Sequence, residues 1–169
     1  MFSVKIQSLA GFNSTQEQFV KRAMHKFEAV MNTSLLKERI LMFDTITGHG
    51  FEDNSGLTNR EIYEKLMAGS ETYNPEKKFQ ADLFLILEEN HSPFFSLNPA
   101  IGFGLPGSKE ITTYTWWFDK ASEARYAGHI AHEWSHKVGF DHSFEPTSVR
   151  QFSVPYAFGN IIEELTTGM

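Results

Sequence analysis

The sequence predicts an α/β fold, an α+β sandwich in which about three helices are interleaved with about five strands. Two observations predict it: helix-period stripes of apolar residues recur along the chain, and short alternating or apolar segments typical of strands lie between them. A third observation is size, because 169 residues with 41% hydrophobic residues and 16 Phe are enough for one packed core. Residues 1–169 are therefore expected to form a single domain.

The first half of the chain is predicted to contain two strands and two helices. Phe2–Gln7 alternates apolar and polar residues, which is typical of a strand. The segment from Ser14 to about Met31 carries apolar residues three and four positions apart and is predicted to be a helix with one buried stripe. Arg39–Thr47 is predicted to be the second strand. Asn59–Ala68 is predicted to be a helix because a Thr-x-x-Glu capping box begins at Thr58.

Three further strands are predicted in the second half of the chain. Ala81–Glu88 is dense in Leu, Phe and Ile, as in a buried strand. Thr112–Phe118 is rich in Thr, Tyr and Trp, which favour strands. The glycines of Ile101–Gly104 predict either a strand that another backbone approaches closely or an ordinary glycine-rich loop. The loop around this last segment is expected to contain three prolines: Pro93, Pro99 and Pro106.

The last part of the chain is predicted to contain a long helix and a short one. The long helix is expected over Ser122–Lys137. Gly139 is expected to end it, because glycine adopts the left-handed conformation without a steric penalty. A loop with Pro146 and Pro155 follows, and a short closing helix is predicted at about Asn160–Leu165.

Composition and charge exclude several functional classes. The chain has no cysteine, so disulfide frameworks, thiolate zinc sites and cysteine nucleophiles are excluded. A net charge of −6 without a basic cluster argues against a nucleic-acid partner. No segment is long and apolar enough to suggest a membrane span, and the N-terminus does not resemble a signal peptide. A cytoplasmic location is therefore the default expectation, or a secreted one if a leader has been removed, and the sequence indicates no oligomeric state.

One segment, His-Glu-Trp-Ser-His-Lys-Val-Gly-Phe-Asp-His, contains the residues that predict chemistry. His132 and His136 are four residues apart, so on a helix both imidazoles lie on one face and reach one ion. Glu133 lies about 100° further round the helix, close to the ion without being a ligand. After Gly139 the chain can turn back, and His142 can supply a third ligand. Three imidazoles leave a fourth tetrahedral position for water, which is typical of a catalytic zinc (Zn²⁺) site.

The alternative interpretation is a surface helix with several unrelated histidines. An isolated His-Glu-x-x-His arises by chance at an appreciable rate, but adding Gly139 and His142 makes the pattern far rarer in a chain of this composition. His129 shares part of the same helical face, yet a further imidazole would overfill the site, so His129 is expected to be packed or to contact a ligand. The remaining histidines have no such pattern and are expected to be structural or exposed: His25, His49 and His91.

The motif resembles the signature of the metzincin clan of zinc metallopeptidases. The match is residue for residue at five positions: His132, Glu133, His136, Gly139 and His142. The predicted order of elements is also similar to the metzincin catalytic domain, in which an edge strand pairs with the substrate. This resemblance implies one catalytic zinc ion, a peptide or protein substrate, an upper lobe at about 1–139 and a very short lower lobe at about 140–169.

The sequence departs from the metzincin pattern after the third histidine. Metzincins carry a methionine in a tight turn beneath the metal, whereas the only methionine after His142 is Met169 at the last position. Ser153–Tyr156 is the candidate replacement, because Pro155 favours a tight turn. By resemblance to metzincins with a tyrosine after that methionine, Tyr156 would bind zinc or stabilise the oxyanion. The alternative is a half-buried tyrosine bonded to a backbone carbonyl.

These residues together predict a zinc-dependent endopeptidase. Glu133 would take a proton from the attacking water and deliver it to the leaving amine, and Tyr156 would assist at the oxyanion. Two alternatives stay open. The missing methionine and the short segment after His142 favour a zinc-binding interaction module without peptidase activity. The same zinc chemistry would also serve a hydrolase of a non-peptide amide or ester.

Overall fold

The computed structural model of the protein describes residues 1–76, 79–89, 100–105 and 107–169. Several sequence predictions fall outside these ranges. They concern the proline-containing loop and one histidine: Pro93, Pro99, Pro106 and His91. Every residue of the predicted metal site lies inside the described ranges.

The described residues form one four-stranded mixed sheet, not five strands. The strands are β1 (Ser3–Ala10), β2 (Gln80–Glu88), β3 (Gly102–Phe103) and β4 (Glu110–Tyr114). Their spatial order is β1-β2-β4-β3, with β1 and β4 both parallel to β2 and β3 antiparallel to β4. The strand predicted within Ile101–Gly104 is therefore present as β3, and it lies at an edge of this sheet.

Seven α-helices lie in the described part of the chain, so the fold is a mixed α/β arrangement. They are α1 (Ser14–Met31), α2 (Ser34–Leu41), α3 (Phe43–Thr47), α4 (Asn59–Ala68), α5 (Thr115–Phe118), α6 (Glu123–Lys137) and α7 (Val154–Thr167). α4 has the predicted bounds because Thr58 and Glu61 form a reciprocal capping box. A short 3₁₀ helix, Arg150–Phe152, precedes α7. Within the described ranges, no helix is long and apolar enough to cross a membrane.

The predicted strand at Arg39–Thr47 is wrong, because the structure forms α2 and α3 there. Thr33 caps α2, and its hydroxyl oxygen accepts a hydrogen bond from the Leu36 N–H at 3.1 Å. Leu36, Ile40 and Phe43 are buried at spacings of four and three residues, which is a helical stripe. The β-branched and aromatic residues of this segment favoured a strand, but burial of one helix face outweighs intrinsic propensity.

The predicted strand at Thr112–Phe118 is correct only in its first part. β4 ends at Tyr114, and the single helical turn α5 follows. This turn buries Trp117 and Phe118, and the Phe118 ring packs edge-on against Phe12 with centroids 5.6 Å apart. Packing against a distant segment therefore decides the local conformation here.

The closing helix begins earlier than predicted, and the predicted tight turn at Ser153–Tyr156 is not formed. α7 starts at Val154 and has Pro155 in its first turn, where the fixed φ and missing N–H of proline are tolerated. Its buried apolar residues follow a helical period: Val154, Ala157, Phe158, Ile161 and Ile162. Pro155 thus begins a helix, and Tyr156 belongs to the first turn of that helix.

The core holds α6 by the face that lies opposite its predicted metal ligands. α6 packs against α1, α7 and β4. Trp134 is fully buried, and its ring lies 5.6 Å from that of Phe2 and 6.2 Å from that of Phe27 between centroids. Trp134 is two residues from both His132 and His136, which is about 200° round a helix. The aromatic core therefore fixes the helix while both histidines face away from it.

Candidate metal centre

The end of α6 reverses the chain so that a third histidine returns to the helix. Gly139 has φ of 92°, the left-handed conformation that favours glycine. Its N–H donates to the His136 carbonyl at 3.0 Å, and the Phe140 N–H donates to the Ser135 carbonyl at 3.1 Å. These two bonds form a Schellman motif, as the sequence predicts for a glycine here. The reversal brings His142 back to the histidines of α6.

The structure brings His132, His136 and His142 together, with their ligand nitrogens all within 4.8 Å of one another. The Nε2 atoms of His132 and His142 are 3.2 Å apart. The Nδ1–H of His136 donates to the Phe140 carbonyl at 2.9 Å, and that of His142 donates to the Ser143 carbonyl at 3.0 Å. A carbonyl oxygen only accepts, so both imidazoles carry their proton on Nδ1 and keep the Nε2 lone pair for a metal.

This donor set is suited to a metal ion. Two nitrogens bound to one tetrahedral zinc lie about 3.3 Å apart, and the His132 and His142 nitrogens are 3.2 Å apart. Burial lowers the pKa of all three imidazoles, and that of His132 well below its usual value. The neutral imidazole is the form that binds a metal. The described residues therefore contain a three-histidine group that can hold one metal ion.

Glu133 is a buried carboxyl group beside this histidine group. Its residue is 6% exposed. Burial raises the pKa of its carboxyl to about 7, while a hydrogen bond from the Gly104 backbone and the charge of Lys137 partly oppose that shift. A carboxyl group with a pKa near neutrality can both accept and donate a proton at physiological pH.

Residues 100–105, which contain β3 and are called the edge segment below, lie against two buried side chains of α6. A Cβ atom on Gly102 would overlap the Thr112 carbonyl oxygen and lie 2.8 Å from His129 Nε2. A Cβ atom on Gly104 would lie 2.9 Å from the backbone oxygen of Glu133 and 3.2 Å from its Oε2. The close backbone approach predicted for this glycine segment is therefore confirmed, and the helix makes a second close contact with it.

His129 is buried but does not belong to the three-histidine group. Its Nε2 is 3.1 Å from Thr113 Oγ1, and its Nδ1 is 3.7 Å from Glu133 Oε1. Burial lowers the pKa of His129 to about 3, so its imidazole is neutral. Among the other histidines in the described ranges, His25 is exposed and His49 stacks on the ring of Phe152 at 4.3 Å.

A cleft of about 780 Å³ contains the candidate site. It is lined by the edge segment 100–105, by α6, by the segment 141–151 and by α7. Three apolar side chains at this cleft are 40%, 57% and 84% exposed, respectively: Phe103, Leu105 and Phe144. A concave surface that combines a few polar groups with apolar side chains is typical of a ligand site.

Comparison with known proteins identifies no relative of this chain. No protein-family model, no curated protein and no solved structure gives a significant match. The residue pattern and the geometry of the site are therefore the basis for a functional proposal.

Tyr156 contacts the histidine group from the first turn of α7. The centroid of its ring lies 4.5 Å from that of His132 and 4.8 Å from that of His142. Burial raises the pKa of the Tyr156 hydroxyl, and the charge of Arg150 opposes this shift. The hydroxyl is therefore protonated at neutral pH and available as a hydrogen-bond donor.

Sequence reasoning missed two basic residues at this site, Arg150 and Lys137. Arg150 Cζ lies 4.8 Å from the centroid of the Tyr156 ring. Lys137 is fully buried, and its Nζ donates to the carbonyls of Leu105 at 3.0 Å and Glu110 at 2.6 Å. Lys137 lies four residues after Glu133 in the predicted helix, so the two share a helix face, and this spacing was a usable signal. No sequence signal points to Arg150, because its neighbours come from other segments.

Proposed function

We propose that the protein is a zinc-dependent endopeptidase similar in its active site to metzincins. One observation carries the proposal: three imidazoles converge in one cleft, and the buried carboxyl of Glu133 lies beside them. His132, His136 and His142 would hold the zinc ion. The free Nε2 lone pairs and the glycine-terminated helix support this assignment.

Glu133 is the proposed general base and acid. When bound in such a site, zinc polarises the scissile carbonyl and lowers the pKa of water to about 7. A carboxylate oxygen of Glu133 accepts a proton from the attacking water, and the resulting carboxylic acid donates it to the nitrogen of the leaving amine. A carboxyl pKa of about 7 suits both steps.

Tyr156 is the proposed donor to the oxyanion. Its ring packs against two of the three histidines, so its position is fixed relative to them. A protonated phenol in a partly buried cleft stabilises negative charge that develops on the substrate oxygen.

The edge strand supports a peptide as the substrate. β3 lines the cleft and lies at the edge of the sheet that the described residues form. An extended peptide can add to such an edge through main-chain hydrogen bonds, with its side chains directed alternately into the cleft. An ester or a non-peptide amide would make no use of that edge.

The proposed mechanism is tested by Glu133→Gln and Glu133→Ala. We expect both variants to keep stoichiometric zinc, measured by elemental analysis, and to lose about 10²- to 10⁴-fold in turnover of a peptide library. Glu145→Gln removes an exposed carboxylate that does not line the cleft and should leave turnover unchanged. Full turnover by a zinc-loaded Glu133→Ala protein would show that the mechanism is wrong.

The alternative of a zinc-binding interaction module has a separate test. A purely structural zinc site has no use for a carboxyl group with a raised pKa in an open cleft, so Glu133 argues against it. Casein or library turnover that stops with a chelator and returns with zinc excludes this alternative. Zinc binding without any turnover of peptides, amides or esters would favour it.

A further inference from the structure

Arg150 is a cleft residue whose charge has no acidic partner. Its guanidinium lies over the ring of Tyr156, and Nη1 donates to the Phe144 carbonyl at 3.4 Å. The Nε–H is buried and makes no hydrogen bond. No carboxylate in the described ranges forms an ion pair with it. Arg125 lines the same cleft and also has no ion pair in the described ranges, but its guanidinium lies over Trp117. That of Arg150 lies over Tyr156, which contacts the histidine group.

Hydrogen bonds hold the backbone at Arg150, so the position of its Cα atom is well defined. The Arg150 carbonyl accepts hydrogen bonds from the Ser153 N–H at 3.1 Å and from Ser153 Oγ at 2.8 Å. Ser153 itself is fully buried at the start of α7. The guanidinium is itself restrained by the Tyr156 ring and the Phe144 carbonyl, so it loses less conformational entropy on binding a ligand than a free surface arginine would.

The positive charge of Arg150 lies beside the candidate metal site, and an anion bound between them would be attracted to both. The charge of Arg150 opposes protonation of His132 and His142, so its field reaches both candidate ligands. The same field would oppose a bound metal cation. A negative group of the substrate that binds to the guanidinium would compensate the repulsion between the two positive charges.

We propose that Arg150 binds a carboxylate of the substrate, so that the cleft prefers anionic peptides. The carboxylate comes either from an Asp or Glu side chain near the cleaved bond, as suits an endopeptidase, or from the C-terminus of the peptide, in which case the cleavage is that of an exopeptidase. The planar guanidinium matches the geometry of a carboxylate, and partial burial strengthens the interaction. This inference rests on the proposed peptidase function and names the substrate class of the same site.

Three nearly isosteric probes distinguish the two sources of the carboxylate. N-benzoyl-Gly-Gln has a C-terminal carboxylate, N-benzoyl-Gly-Glu-amide has a side-chain carboxylate, and N-benzoyl-Gly-Gln-amide is neutral. Their dissociation constants are measured by NMR titration on the zinc-loaded Glu133→Gln protein, which is not expected to cleave them. We expect one acidic probe to bind about 10- to 100-fold more tightly than the neutral probe.

Substitution of Arg150 decides whether this residue causes the preference. Arg150→Gln should remove it, and Arg150→Lys, which keeps the charge but loses the planar fork, should retain part of it. Arg125→Gln is the matched control, since Arg125 lines the same cleft but lies over Trp117 at 5.5 Å from its ring centroid. Arg125→Gln should keep the preference. A preference that survives Arg150→Gln, as when the carboxylate binds zinc directly, overturns the proposal.

Folding and turnover are measured separately, so that the two proposals can fail independently. Thermal melting of each variant shows whether it is folded. If Arg150→Gln is unfolded, Arg150→Lys replaces it as the test variant. Turnover of a peptide library by the wild-type protein without any carboxylate preference contradicts the role of Arg150 alone. An Arg150-dependent preference in a protein that cleaves no peptide contradicts the peptidase function alone.

Discussion

The four histidines between positions 129 and 142 differ in what their ring nitrogens contact. His136 and His142 donate from Nδ1 to backbone carbonyls, which leaves Nε2 for a metal. His129 instead has Nε2 close to Thr113 and lies beneath the edge segment. Identical side chains on one stretch of chain therefore have different roles, because a hydrogen bond at one ring nitrogen determines what the other can do.

This difference predicts which histidines are needed for zinc binding. His132→Ala, His136→Ala and His142→Ala should each weaken zinc binding by more than about 100-fold, because loss of a ligand exceeds the about 10- to 100-fold cost of losing an outer partner. Competition with a chelating dye measures the affinity. His129→Gln is the control and should bind zinc within about 10-fold of wild type. Equal loss of zinc in His129→Gln and His142→Ala would contradict the proposed ligand set.

At the scale of the elements, two glycines set the distance between α6 and α7. A Cβ atom on Gly128 would lie 2.8 Å from the Gly159 carbonyl oxygen, and one on Gly159 would lie 2.8 Å from the Gly128 carbonyl oxygen. The helices therefore approach closely at this crossing. Tyr156 stands one turn before Gly159, so the crossing also determines how near its ring comes to His132.

Gly159→Ala tests this helix crossing. The new methyl group would meet backbone of α6 and the Cβ of His132 at 3.0 Å, so the helices must separate. We expect a loss of about 1–3 kcal/mol in the free energy of unfolding, measured in urea, together with reduced turnover. Gly168→Ala, where the nearest atom is 3.7 Å away, is the control and should change stability little. Equal stability of both variants would contradict a close crossing.

At the scale of the whole molecule, α6 carries a row of buried ionisable residues under the cleft. His129, Glu133 and Lys137 follow one another at intervals of one helical turn and are all buried. Burial shifts the pKa of each toward its neutral form: His129 to about 3, Glu133 to about 7 and Lys137 to about 8. Two of these residues, His129 and Glu133, line the cleft, while His129 and Lys137 bond to the sheet and to the edge segment, respectively.

The lowered pKa of His129 predicts that the contribution of this residue to stability falls in mild acid. The unfolded chain takes up a proton on this imidazole below its ordinary pKa of 6.5, whereas the folded protein does so only near 3. This contribution is therefore complete above pH 6.5 and is lost as the pH falls toward 3. Between pH 7.5 and pH 5 the loss should be about 2 kcal/mol.

Urea unfolding of metal-free wild type and of His129→Gln at both pH values isolates this loss as the difference between the two proteins. The comparison is needed because the raised pKa of Glu133 and the lowered pKa values of the three clustered histidines also change stability in this range. His129→Gln should lose about 2 kcal/mol less stability than wild type between the two pH values, because the titrating group is gone while a bond to Thr113 stays possible. Replacement of the exposed His25 by Gln should leave the difference unchanged. The same pH dependence in wild type and His129→Gln would show that His129 is not the cause.

Features set by neighbours in sequence could be predicted best. Asn59–Ala68 and the end of α6 followed from a capping box and a glycine, which act within a few residues. Arg39–Thr47 and the start of α7 could not be predicted correctly, since their conformations depend on which face is buried against distant segments. Burial of one helix face outweighed the strand propensity of Arg39–Thr47 and the tight turn that Pro155 was expected to favour.

The sequence alone determined the metal-binding pattern, because two histidines four residues apart must share a helix face and a glycine must be able to end that helix. The tertiary structure decided what surrounds the pattern. The approach of Tyr156, the unpaired charge of Arg150 and the buried ammonium of Lys137 all depend on contacts between separate segments. Local spacing cannot encode those contacts, since they arise only when helices and sheet pack together and exclude water.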